Sequence, residues 1–383
     1  MLEKVGPERH SLTDLMRLFL KLGTIGFGGP AAHIALMRHE VVDRRKWLGE
    51  QHFLDLVGAT NVIPGPNSTE LAIHIGRERA GWKGLLVAGS AFIAPAMIIV
   101  LGLAWLYVEY GTTPAAENLI YGIAPVVIAI IVDALWKLAK VAAKGAAPLV
   151  LGALVFVFYL AGANELILLG AAAILASVVA NRHRIARAGM PLFIMAIPLV
   201  RWSAARPSDE DLPQLFLLFL KFGSVVFGSG YVLLAFIRAD LVSRLGWLTN
   251  EQLVDAVAIG QFTPGPVFTT ATFIGYLVGG FAGAVLATIA IFLPSFLFVA
   301  ALNPVIPKIR RSPWLAPALD GLNMASVGLM AGVTVQLGQA AIIDPLTSAL
   351  AVAAVLVMAR WKPNPGWVIL AGVAVGLLHW FAF

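Results

Sequence analysis

Asn61-Val62-Ile63-Pro64-Gly65-Pro66-Asn67-Ser68-Thr69-Glu70 cuts into an apolar run, and 200 residues later Gln261-Phe262-Thr263-Pro264-Gly265-Pro266 cuts into another. A helix cannot continue through Pro-Gly-Pro, yet the second proline can open a new helix in its first turn. Each stretch therefore reads as a break followed by a half-helix, residues 67–76 in the first case, with its positive end at the break. Asn67, Ser68 and Thr69 would supply neutral hydrogen-bond donors there.

The match extends outward from the breaks. Leu18-Phe19-Leu20-Lys21 aligns with Leu218-Phe219-Leu220-Lys221, and Gly23, Phe27 and Gly28 with Gly223, Phe227 and Gly228. Arg38, Arg44, Trp47, Leu48 and Asp55 find Arg238, Arg244, Trp247, Leu248 and Asp255. After a one-residue slip, Ile75-Gly76, Pro95 and Gly122 find Ile274-Gly275, Pro294 and Gly321. This is an internal duplication. The polar stretch in 201–213, around Arg206 to Asp211, is the expected linker, which gives repeats of 1–206 and 207–383.

Bulk composition sets the solvent. Of the 383 residues 59% are hydrophobic and only 13% charged, about half the charge of a soluble domain. Mean hydropathy is +0.86. Residues 84–108, 119–136, 148–163, 166–180, 284–302, 318–336, 346–359 and 367–383 are apolar enough to span a bilayer, and 190–200 is a short further candidate. Residues 18–37, 57–76, 215–237 and 257–278 are apolar but interrupted by Gly and Pro. Interrupted segments at matching places in two halves point to a transporter binding site. The expected fold is an all-α polytopic membrane protein of two repeats with broken or re-entrant helices, about 10–13 membrane segments in all.

Loop charge suggests that the repeats are inverted. Residues 109–118 carry no Lys or Arg, whereas the matching 303–313 carries Lys308, Arg310 and Arg311. One span later the bias reverses, with Lys137, Lys140 and Lys144 opposite a basic-free 336–344. Basic loops stay cytoplasmic, so equivalent loops lie on opposite sides and the pseudo-two-fold axis lies in the membrane plane. Lys4, Arg9 and the basic run from Arg38 to Lys46 place both ends of 18–37 inside. That segment would then enter and return through a hinge at Gly26–Pro30. The polar start, Met1 to Ser11, lacks the apolar stretch of a cleavable leader, so internal segments are expected to drive insertion.

Other chemistries find little support. The net charge of +6 sits in short gaps between apolar runs rather than on a nucleic-acid face, so no nucleic acid is expected. There is no cysteine, which excludes disulfides and thiolate sites. Gly26-Phe27-Gly28-Gly29-Pro30 lacks dinucleotide spacing, and no HExxH, P-loop or G-x-S-x-G context occurs. Neither an enzyme nor a cofactor or metal is expected.

Two opposed breaks meeting near the midplane would suit a tetrahedral oxyanion. The expected binding groups are Gly28, Gly29, Asn61, Pro64, Gly65, Pro66, Asn67, Ser68 and Thr69 from one half, and Gln261, Thr263, Pro264, Gly265, Pro266 and Thr269 from the other. Arg38 and Arg238 would compensate charge, while Lys21 and Lys221 read as cations that reach toward the interface. Half one also carries titratable groups that half two lacks. Glu70 and His74 share a helix face, and His33 aligns with Leu233. Intramembrane ionisable groups mark proton paths, so these three are proton-coupling candidates. Asp55 and Asp255 read as loop or cap residues, and Asp133 and Asp320 as weaker intramembrane candidates.

Gly26-Phe27-Gly28-Gly29-Pro30, the stretch Asn61 to Gly76, and Gln261 to Pro266 together resemble the chromate ion transporter family in its long, two-repeat form, over essentially the whole chain. The resemblance implies export of chromate across a prokaryotic inner membrane by a multi-pass protein that uses the proton motive force, with sulfate as a related anion. A sulfate or other dianion exchanger or importer, or an anion channel, is the alternative. One departure is Gly228-Ser229-Gly230, which stands where half one has Gly28-Gly29-Pro30, so the two entry loops are not equivalent. The expected partners are chromate or sulfate, the lipid bilayer and, with no specific interface signal, a second copy in a homodimer.

Overall fold

The computed structural model describes residues 12–111, 113–143, 145–184, 212–227, 230–302 and 312–382. The N-terminal Met1–Ser11, Lys144, the short segment 190–200, Arg206 to Asp211 of the linker, Gly228-Ser229 and the basic Lys308–Arg311 lie outside the described residues. Within them the chain is helical and contains no strand.

Half one runs α1 (Leu12–Ile25), α2 (Gly29–Arg38), α3 (Glu50–Thr60), α4 (Asn67–Tyr110), α5 (Pro114–Ala142), α6 (Ala146–Leu160) and α7 (Glu165–Ala180). Half two repeats this as α8 (Leu212–Val225), α9 (Leu233–Ile237), α10 (Asn250–Phe262), α11 (Thr270–Leu302), α12 (Leu315–Ala341), α13 (Pro345–Trp361) and α14 (Pro365–Ala382). Even the irregularities recur. A π-helical turn follows α2 at His39–Arg44 and α9 at Arg238–Arg244.

The halves do not pack as two separate bodies. α1 lies on α4 and α8 on α11, while α4 and α11 pack on each other. Beyond that pair the elements are exchanged: α5 packs against α13 and α14, and α12 against α6 and α7. The exchange is reciprocal, as a pseudo-two-fold relation between the repeats requires. The close approaches obey it too. A Cβ on Gly122 would lie 2.1 Å from the Gly372 carbonyl, and one on Gly321 would lie 2.6 Å from the Ala172 carbonyl. Small residues let membrane helices come this near.

Four stretches are long and apolar enough to cross a membrane: Asn67–Tyr110, Asn118–Ala142, Val267–Ala301 and Leu315–Ala341. Shorter apolar helices accompany them, Ala146–Leu160, Glu165–Ala180, Leu212–Val225, Pro345–Trp361 and Pro365–Phe381. Their outer faces carry exposed apolar side chains such as Ile98, Val150 and Leu378, which suits lipid and not water. Exposed Trp82, Trp136, Trp361 and Trp367 lie at or near helix ends, where an interfacial aromatic belt belongs.

The longest helix is a hairpin. Gly81 at the middle of α4 has φ 59° and ψ −141°, and Gly280 of α11 has φ 57° and ψ −150°. Only glycine adopts such a conformation cheaply. The chain reverses there, because a Cβ on Gly76 would sit 2.3 Å from the Gly84 carbonyl oxygen, and one on Gly275 would sit 2.4 Å from that of Gly283. Residues 67–79 are thus a half-helix of about 20 Å, too short to cross. The half-helix expected from Pro66 is present, and its folding back onto the next helix is what the apolar pattern did not mark.

Lys21 of α1 pairs with Glu40 in the π-helical turn at 2.7 Å, and Lys221 of α8 with Asp240 at 2.6 Å. Burial alone would raise the Glu40 carboxyl, but bonds from Lys21 and Arg45, with the charge of Arg44 nearby, pull it down to about 2. Its folded value lies below the free value of 4.5, so its contribution is complete above pH 4.5 and fades as pH falls toward 2. The stability lost in Glu40→Gln should therefore shrink across that window; a thermal-midpoint difference that stays constant from pH 6 to pH 3 would contradict it.

The hairpin gives a second test. Gly76→Ala or Gly275→Ala drives a methyl group into backbone oxygen and should cost about 1–3 kcal/mol. Gly102→Ala, with nothing within 4 Å, should be silent. Thermal midpoints of the three variants in detergent measure the contrast.

Candidate functional site

The two Pro-Gly-Pro breaks are joined by reciprocal hydrogen bonds. Gly65 donates its backbone N–H to the carbonyl of Val226 at 2.8 Å, and Gly265 donates to the carbonyl of Gly26 at 2.8 Å. Gly26 and Val226 are themselves equivalent positions, the first residues past α1 and α8. Each break is therefore seated on the entry loop of the other half. Gly65 is in a left-handed conformation, φ 137°, and a Cβ there would strike the Glu70 carboxylate and the Ser295 hydroxyl at 2.4 Å. No other residue fits.

Below the first break the helix opens without a side-chain cap, behind Pro66. Its first amides have no partner within the helix. Thr69 and Glu70 then begin the ladder on the Pro66 carbonyl. Glu70 is completely buried, and among the described residues its carboxylate accepts a hydrogen bond from the Ser295 hydroxyl of the opposite half alone, 3.4 Å away. Its second oxygen, the Thr69 hydroxyl and both ring nitrogens of His74 are buried without partners. His33 is buried as well, with Nε2 2.8 Å from the Gly26 carbonyl and Nδ1 unpartnered. Ser68 is buried beside them, and Asn67 donates to Asn61 at 2.9 Å.

Half two looks different. The hydroxyls of Thr263, Thr269 and Thr270 are turned back onto the carbonyls of Gly260, Pro266 and Val267. Gln261 is buried and accepts from the Tyr231 hydroxyl at 2.7 Å. In this arrangement Thr263 and Thr269 already spend their donors on backbone. Asp255 is buried and accepts from Tyr107 across the repeats at 2.7 Å, whereas its counterpart Asp55 is exposed on Gln51.

The two arginines also separate. Arg38 is held by Glu50 and Asp43, so its charge is already matched. Arg238 is held by neutral Asn250 and Ser243 at 3.0 and 3.5 Å, which leaves its charge uncancelled. Gly28 and Gly29 have φ 103° and 78° and shape the turn from α1 into α2.

A cavity of about 600 Å³ opens beside the first break, lined by Asn61 and Val62, the end of α5 and the first turns of α12. Of the counterparts on the other side Gln261, Val127, Ile128, Leu337 and Ala341 are buried, while Phe262, opposite Val62, is exposed.

Two participants were not singled out from sequence. Ser295 faces Glu70; a hydroxyl beside the helix-interrupting Pro294, where half one has Ala96, was the available signal. Arg77 donates to the Val299 and Ala300 carbonyls at 2.5 Å and so caps the C-terminal end of α11. Among the described residues no cluster of three or more His, Asp or Glu side chains could hold a metal.

Comparison with known proteins bears on the whole chain. A family model described as chromate transporter matches residues 13–178 and 213–377. A probable chromate transport protein of Synechococcus elongatus is 33% identical over 97% of this chain and 96% of its own length. Chromate transport proteins of Cupriavidus metallidurans and Pseudomonas aeruginosa are 33% and 31% identical, covering 96% and 98% of this chain and 93% and 94% of their own. No solved structure matches. With both repeats matched and curated relatives aligned end to end, the chain belongs to the chromate transporter family.

Proposed function

We propose that this protein is a secondary active transporter that exports chromate across a prokaryotic inner membrane, with the anion held where the two broken segments meet. The observation that carries the reading is the pair of reciprocal bonds, Gly65 to Val226 and Gly265 to Gly26, which brings both breaks into contact with the opposite half. Irregular backbone at membrane depth is tolerated where it lines a site.

The first turn of the half-helix after Pro66 supplies amides and a positive dipole end, and Asn61, Asn67, Ser68 and Thr69 supply neutral donors. Arg238 is bonded to Asn250 at the opposite end of α10 from the break, so neutral donors and the helix dipole carry the binding there. Glu70 is the coupling group and His74 its neighbour one turn on. A carboxylate buried with only a hydroxyl for company is costly, and more so beside a dianion. The proton on Glu70 and the anion at the break therefore favour each other and move together with net charge −1, which ties flux to pH and leaves the membrane potential as the drive for export.

The cavity mouth lies at the end of α5, beside Lys137 and Lys140, and at the start of α12. Basic flanks mark the cytoplasmic side. The chain is thus open inward, as export requires. An inside-negative potential favours the step, by roughly 2.3 kcal/mol per charge per 100 mV.

Chromate uptake into inverted, reconstituted vesicles with an imposed pH gradient tests this. Flux that follows the gradient, a gradient-independent residue in Glu70→Gln, and loss of flux in Pro64→Ala and Pro264→Ala are expected. Glu70→Gln flux that still follows the gradient removes Glu70 from coupling. Sulfate flux with no chromate flux keeps the site and replaces the substrate. Downhill flux without accumulation makes the protein a channel.

A further inference from the structure

The cavity beside the first break has a polar stripe that the break itself does not explain. Asp320, Asn323 and Ser326 stand at i, i+3 and i+6 on α12, so they share one face of that helix and all line the cavity. Their exposure falls along the helix: Asp320 is exposed, Asn323 half-buried, and Ser326 only 2% exposed. The stripe therefore leads from the mouth inward. Past Ser326 the helix turns apolar with Met330 and Val333, both fully buried. The Ser326 hydroxyl has no partner, although it is buried. An unsatisfied hydroxyl at the inner end of a cavity costs free energy unless a ligand or water completes it.

The duplication supplies an internal control. On α5 the positions equivalent to Asp320, Asn323 and Ser326 are Tyr121, Ala124 and Val127. Val127 is fully buried and Tyr121 donates to Asp344 at 2.6 Å. Scaffold packing thus needs no polar stripe at this place in the fold, since half one does without it. Asp320, the exposed carboxylate at the mouth, repels an anion and stands outside the set, whereas the two neutral donors deeper on that face, with Asn61 also lining the cavity, fit an oxyanion that must stay partly hydrated as it leaves water. A volume near 600 Å³ is ordinary for a small-molecule site and leaves room for that water.

We propose that Asn323 and Ser326, with Asn61, form a loading site for the tetrahedral oxyanion, occupied before the anion reaches the broken helices. This rests on the transport reading, and it makes α12 of half two a specificity element that its repeat partner α5 is not.

Because the chain has no cysteine, a single introduced one is the sole labelling target. Leu319→Cys lines the cavity next to the stripe without belonging to it. Chromate, or sulfate in its place, should slow maleimide labelling of Leu319→Cys several-fold, and adding Asn323→Ala or Ser326→Ala should abolish that protection. In vesicles each alanine variant should raise KM about tenfold, the loss of roughly one good hydrogen bond, with kcat little changed. Ser326→Thr, which keeps the hydroxyl, should stay near the parent KM. Unprotected labelling with either anion overturns the loading site, as does an unaltered KM in both alanine variants. Protection without flux of either anion would keep the loading site and sink the transport reading alone.

Discussion

Everything in this fold hangs on how backbone amides are satisfied where two helices are cut inside an apolar environment. An unpaired amide in hydrocarbon costs several kcal/mol, so a broken helix needs an outside acceptor. Each break finds one in the other repeat, through Gly65 to Val226 and Gly265 to Gly26. Neither half can supply this bond to itself. The exchanged packing of α5 with α13 and α14, and of α12 with α6 and α7, follows the same logic on a larger scale. The duplication thus produced one interlocked body and not two domains in series.

A symmetric frame carries an asymmetric site. In half two the threonine hydroxyls close on their own backbone, and Gln261 accepts from Tyr231 through Oε1, with its Nε2 the one unpartnered atom beside them among the described residues. In half one the hydroxyl, carboxyl and imidazole groups of Thr69, Glu70 and His74 are buried with valences unfilled. Unfilled polar valences in a native interior are expensive and call for a reason. A site that must exchange an ion and a proton supplies one, because groups already paired within the protein would have to be torn apart in every cycle.

Much of the frame was legible in the residues. The 200-residue offset, the Pro-Gly-Pro breaks and the half-helix after Pro66 are backbone properties, and proline and glycine announce these directly. The gap between the apolar segments 57–76 and 84–108 marked where the chain turns at Gly81, but not that the two helices fold back on each other there. Ser295 escaped because its meaning depends on a carboxylate 225 positions away. Arg38 and Arg238 look identical in sequence, yet one faces Glu50 and Asp43 and the other Asn250 and Ser243, two differences elsewhere in the chain that set the partner's charge. The spans of 148–163 and 166–180 appeared as α6 and α7, while the inverted orientation of the repeats rests on loop charge alone.

The pairing of the matched cations away from the breaks has a consequence for transport. Lys21, Lys221 and Arg38 are each tied to carboxylates, and Arg238 alone of the matched set is held by neutral partners. A dianion at the proposed site would be bound mainly by amides, hydroxyls and a helix dipole. Such groups compensate charge incompletely, since each neutral donor is weaker than a charged one. Full compensation by two arginines would give tight binding and slow release, which defeats a carrier. Partial compensation, completed in the proposed mechanism by one proton on Glu70, would hold the anion only while that proton is present. On this arithmetic the poverty of charge at the break would let the proposed site empty.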